Sequence, residues 1–232
     1  MSTRDERIEY AVSHTEILRH PKQSLATFGT TNIHYYLVTE PSYTEFTRRN
    51  DETVIREGRV IAERPRIVTP YYLSRLDGFS SEAKKYFSSL IGRYGPDAPG
   101  LFYTYRNEPK QLNIVADRLW VVADRLNTEI EKRGDPLTSI IKGEDELWDV
   151  SMMKYIYEVA RNSVQDNLSQ LNARGLLKID SGGVPADARI RIEVMFGRAI
   201  KGEYDPRELK SELDRWDLFA EYEDRFFALF KK

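Results

Sequence analysis

The hydrophobic rhythm of this chain changes near residue 114, and that change limits the folds open to it. Up to Ile114 the apolar residues come mostly in short β-branched and aromatic runs broken by Gly and Pro. Beyond it they recur at three- and four-residue spacing over long stretches. The first pattern belongs to strands and the second to helices. The expected fold class is therefore α+β. A small, mainly antiparallel sheet of about four or five strands, with accompanying helices, occupies the N-terminal half, and the C-terminal half is all helical. Residues 1–114 form the mixed region and 115–232 the helical region, and the two can share one core as a single domain.

Within the first half, Ile8, Ala11, Val12 and Leu18 come near helical spacing, so a helix is expected from Arg4 to Arg19, stopped by His20-Pro21. Ile33–Val38 is β-branched and aromatic and predicts a strand. Apolar pairs on both sides of Glu57-Gly58 predict a hairpin there. Pro65 cannot donate to a ladder, so the stretch around Ile67 reads as an edge strand or an extended arm. Ser80 or Ser81 can cap a helix carrying Ala83, Phe87, Leu90 and Tyr94. A second hairpin is expected around Arg106–Lys110, with Leu112 and Ile114 facing a partner.

In the second half, Leu119, Val122, Leu126 and Ile130 define a helix ended by Gly134. Asp135-Pro136 reads as the start of the next helix, because Asp can cap and Pro suits the first helical position. Leu147–Val164 is apolar on most sides and predicts a central helix. A short helix to Arg174 and a loop at Gly182-Gly183 follow. Three further helices carry Ala188 to Ala199, Leu209 to Trp216, and Leu218 to Leu229.

Several chemistries are missing from the sequence. With no cysteine among 232 residues, disulfides, zinc-thiolate sites and thiol catalysis are excluded. No apolar run approaches the roughly 18 residues of a membrane span, and the charged N-terminus has no apolar signal core. A soluble, cytoplasmic protein is expected. A net charge of −2 supplies no general field for nucleic acid. Glycine loops of the phosphate-binding and dinucleotide types are absent, as are the G-x-S-x-G elbow and the H-E-x-x-H metal motif. No cofactor and no metal are expected.

What remains is a short set of candidates. A histidine-based site would have to use His14, His20 or His34, and His34 lies in the best strand; half-buried packing is its plainer role. Asp145 and Asp149 stand four apart and could share a cation, although a negative charge in the first turn of a helix explains them as well. Between Arg56 and Arg75 five arginines face only Glu57 and Glu63. Arg64, Arg66 and Arg75 with Tyr71 and Tyr72 could bind phosphates and stack bases. Arginines along an edge strand also guard against aggregation. At the C-terminus, Phe226, Phe227 and Phe230 cannot share one narrow helical stripe, so they serve core packing or an interface with a second copy. The sequence favours a non-catalytic binding or assembly protein, able to form homo-oligomers. The alternatives are a nucleic-acid-associated protein using residues 56–75 and an enzyme without a local motif.

Overall fold

The computed structural model describes residues 4–42, 51–69, 71–72, 75, 92, 95 and 100–230. All of the expected helix over residues 80–94 except residue 92 lies outside these. The chain divides into two compact units. One is drawn from residues 1–64 and 103–167, the other from residues 65–102 and 168–232.

The first unit is built on a five-stranded mixed sheet in the order β1-β7-β2-β3-β6. Its strands are β1 (Glu16–Arg19), β2 (Thr31–Thr39), β3 (Thr53–Ala62), β6 (Tyr105–Val115) and β7 (Thr138–Lys142). All neighbours pair antiparallel except β2 and β7, which run parallel, with Leu37 opposite Ile141. A short helix α1 (Arg4–His14) precedes the sheet. Helix α2 (Leu119–Arg133) packs on one face, where Val122, Ala123 and Ile130 meet Val38 and Ile140. Helix α3 (Trp148–Ala173) covers the other, where Met152, Tyr155, Ile156 and Val159 meet Ile33, Tyr35, Leu37 and Ile141. The alternation of strand side chains thus feeds two cores at once.

Four expectations are corrected. The N-terminal helix ends at His14, and Glu16–Arg19 is a strand. Ile17 sits opposite Ile141, and the buried Arg19 donates to Glu131, to Asn127 and to the carbonyl of Thr138. Neither hairpin exists. β3 runs straight through Glu57-Gly58, and β6 runs straight through Arg106–Lys110, because the two long strands pair with each other. Lys110 is the extra residue of a bulge between Gln111 (opposite Glu57) and Pro109 (opposite Gly58), a place where proline's missing N–H does no harm. On this edge Leu112 and Ile114 are 55% and 54% exposed. Finally, the C-terminal half is not all helical. Asp135 accepts from the Leu137 N–H and the Thr138 hydroxyl, turning the chain into β7 instead of capping a helix.

Gly58 has a packing reason. It lies opposite Tyr35, whose ring crosses β3 so that its hydroxyl donates to Asn107 on β6 at 3.0 Å. A Cβ on Gly58 would stand 2.4 Å from that hydroxyl and 2.9 Å from the Glu108 carbonyl oxygen.

The second unit holds a two-stranded sheet, β4 (Arg66–Val68) with β5 (Gly100–Phe102). Its helices are α4 (Ala186–Ile200), α5 (Pro206–Arg215) and α6 (Phe219–Ala228). Its core joins Val68 and Tyr72 to Ala188, Ile192 and Phe196 of α4, Leu209 and Leu213 of α5, Trp216, and Tyr222 and Phe226 of α6. Asp205 caps α5 by accepting from the Arg207 N–H, with Pro206 at the first position, as the sequence predicts.

Gly58→Ala should destabilise the protein by about 1–3 kcal/mol, since backbone as well as a ring must shift. Gly29→Ala, where a Cβ meets nothing within 4 Å, should change stability by less than about 0.5 kcal/mol. Urea unfolding of the two variants checks the contrast.

A candidate ligand pocket in the helical unit

Helix α5 carries its apolar stripe on Leu209 and Leu213, with Trp216 just beyond, and Glu212 falls on the same buried face. A carboxylate at a core position must be paired or it will not stay charged. Glu212 is paired on every side. Its Oε2 accepts from the Tyr72 hydroxyl at 2.9 Å, and its Oε1 accepts from Trp216 Nε1 at 3.1 Å and from Arg191 Nη2. Arg215 Nη1 stands 3.6 Å away. Burial alone would raise its pKa, but the charge of Arg191 and the hydrogen bonds from Arg191, Tyr72 and Trp216 outweigh it and hold the carboxyl below its usual range. Tyr72 is pushed the other way, first by burial and then by the Glu212 charge.

An open cavity of about 590 Å³ lies against this network. It is lined by Arg66, Tyr204, Asp205, Arg207, Glu208, Ser211, Glu212 and Arg215, with Met195 as an apolar contact. The Arg66 guanidinium sits 5.1 Å over the Phe102 ring. Its Nε is buried with no hydrogen-bond acceptor among the described residues. The same holds for Nε and Nη1 of Arg191, whose Nη1 is 3.7 Å from Asp187 Oδ2, beyond hydrogen-bond reach. Buried guanidinium donors without acceptors are costly. Arg207, by contrast, is held by Asp205 at 2.8 Å.

The residues singled out from the sequence are distributed as follows. Arg64 belongs to the first unit; Arg66, Tyr71, Tyr72 and Arg75 belong to the second. Arg66 lines the cavity. Tyr72 is 2% exposed and offers no ring face to a base, serving instead as a donor to Glu212. Arg75 lies 4.5 Å over the Tyr71 ring and binds Asp217 and the Asp214 carbonyl. His34 is in the first unit, half-buried on β2, with Nδ1 3.5 Å from Lys110 Nζ; it does not line this cavity. A smaller cavity of about 240 Å³ in the first unit is lined by His20, Lys22 and Ser163, and His34 is not part of it either. Among the C-terminal aromatics, Phe226 is buried, whereas Phe227 and Phe230 are 50% and 60% exposed.

Other sequence candidates have internal partners. Asp145 accepts from Thr39 and Ser42 and pairs with Arg56 at 2.7 Å. Asp149 stands in the first turn of α3. The N–H groups of Gly182 and Val184 are taken by the Asp180 carboxylate. Among the described residues no group of three or more His, Asp or Glu is arranged for a metal, and no helix is long and apolar enough to cross a membrane.

Sequence reasoning missed Glu212, Arg191 and Arg215. Glu212 left a readable trace: an acid three residues after Leu209 and four before Trp216, on an apolar stripe. Arg191 left none, because only the fold brings it to α5.

No protein-family model, curated protein or solved structure matches this chain.

Glu212→Gln should destabilise the protein by about 3 kcal/mol or more, since it leaves Arg191 buried without its counter-charge. A lowered carboxyl pKa contributes stability that is full above the ordinary value of 4.5 and is lost as pH falls through the folded value. Acid unfolding followed by tryptophan fluorescence should therefore be less steep below pH 4.5 in the variant than in the wild type.

Proposed function

We propose that this chain is a non-catalytic binding protein whose ligand is a small organic anion seated in the cavity of the helical unit. The observation that carries this reading is Arg66, a guanidinium on the cavity wall with a buried Nε that has no acceptor. Arg215 lines the same cavity. Arginine forks match carboxylate and phosphate oxygens, which makes both suitable as the anionic group.

A second reading, self-association, rests on Phe227 and Phe230. Each is half exposed or more, and both rings touch Phe226, at 5.8 and 5.6 Å. Aromatic residues in such a position suit the centre of an interface between two copies.

Titration with acetate and with inorganic phosphate, followed by amide NMR, should move the resonances of Ser211 to Arg215. Arg66→Gln should weaken that binding by about tenfold or more, the loss expected for a charge-assisted hydrogen bond. No perturbation by either anion would remove the reading. For self-association, native mass spectrometry should show multiples of 27.1 kDa that Phe230→Asp reduces to the monomer; a monomeric wild type would argue against it.

A further inference from the structure

The five-stranded sheet ends on one side at β1 and on the other at β6, and the two edges are unlike. β1 is four residues long and shifts register between Ile17 and Arg19, so it offers no regular edge to another chain. β6 is eleven residues long and pairs only with β3 among the described strands. Its alternate backbone N–H and C=O groups therefore point away from the sheet, toward no described strand.

This edge is guarded along half of its length. Arg106, Glu108, Pro109 and the bulged Lys110 all precede Gln111, and charge, proline and a bulge each hinder pairing. The charges have partners within the sheet: Glu108 with Arg59 and Arg106, at 2.6 and 3.0 Å, and Lys110 with Glu57 at 3.9 Å. From Gln111 to Val115 there is no charge, no proline and no bulge. Leu112 and Ile114 share one face of this stretch, and each is more than half exposed. We propose that Gln111–Val115 pairs with the same segment of a second copy, antiparallel about Asn113, and joins the two sheets edge to edge.

The segment's own chemistry selects this occupant and this register. Residues facing each other across an antiparallel ladder must both turn their backbone groups to the shared edge, so a two-fold pairing is centred on a residue and never between two. Centred on Leu112, it would set Lys110 against Ile114. Centred on Ile114, it would leave Leu112 opposite Ala116, beyond the end of the strand. Centred on Asn113, Leu112 of each copy meets Ile114 of the other on one face, and no charge in the segment repels its copy. Each copy uses its one long open edge, so the pairing closes at two chains. The interface is independent of the anion-binding reading and of Phe227 and Phe230, which belong to the other unit. Five residues per copy make a contact of the small, transient class, populated at high protein concentration and dissociated in the dilute samples of native mass spectrometry.

Because the chain has no cysteine, a single introduced thiol reports the register. Asn113→Cys sets two thiols opposite each other, with Cα atoms about 4.5–5.5 Å apart, within reach of a disulfide. Gln111→Cys sets them four residues apart along the strands, about 13 Å, which is beyond reach. Both positions are exposed, so neither substitution disturbs the core. Both are made in the Phe230→Asp chain, so that the C-terminal aromatics do not supply the contact. Under mild oxidation at high protein concentration, Asn113→Cys should form a linked dimer of twice 27.1 kDa at least about tenfold faster than Gln111→Cys. Adding Ile114→Lys to Asn113→Cys should lower the rate to that of Gln111→Cys. Equal rates for the two cysteine chains, or an unchanged rate with Ile114→Lys, would overturn the proposal. No linked dimer from either chain would overturn it as well, and would point to a strand from a different protein as the occupant of this edge.

Discussion

A carboxylate buried among Tyr72, Arg191, Arg215 and Trp216 organises the helical unit. Removing Glu212 from water would be prohibitive by itself, so its partners are obligatory, and they come from three places in the chain. Tyr72 follows β4, Arg191 sits on α4, and Trp216 closes α5. A hydrophobic contact tolerates small displacements; a hydrogen-bonded ion in a dry setting does not. The network therefore fixes the register of α4 against α5 more sharply than Ile192, Phe196 and Leu209 do by packing alone. Glu212 and Arg215 of this network also line the cavity.

In the first unit the corresponding constraint is geometric. Tyr35 reaches over Gly58 to Asn107, linking three strands with one side chain. This works only because position 58 has no Cβ. Around it the sheet can be covered on both faces, by α2 and by α3.

Much of this was legible beforehand, and the exceptions have physical causes. The strand at Ile33–Val38 and the helices after Gly183 announce themselves, because β-branched density and caps such as Asp205-Pro206 act locally. The hairpins at Glu57-Gly58 and Arg106–Lys110 were false because charges and a glycine in mid-strand resemble a turn until the partner strand is known. β7 was missed because the five residues of Thr138–Lys142 are too few to separate a period of two from one of 3.6, and four of them are buried. Arg66 and Tyr72 stood out as part of an arginine- and tyrosine-rich stretch, but Tyr72 finds its partner in Glu212, which lies far away in sequence. Local signals report what a segment can form; they do not report which distant charge it will meet.

The pairing of β1 with β7 bears on how the protein is made. Ile17 finds Ile141 only after about 120 further residues have been added. At typical rates of synthesis that is on the order of ten seconds. During this interval β2 and β3 can zip together, since they are neighbours in sequence and pair antiparallel. The side of β2 that later receives β7 stays open, with Leu37 and Val38 beside it. An unpaired apolar strand on a nascent chain is a target for wrong partners. The last strand to enter the sheet is thus also the one that closes the open side of β2.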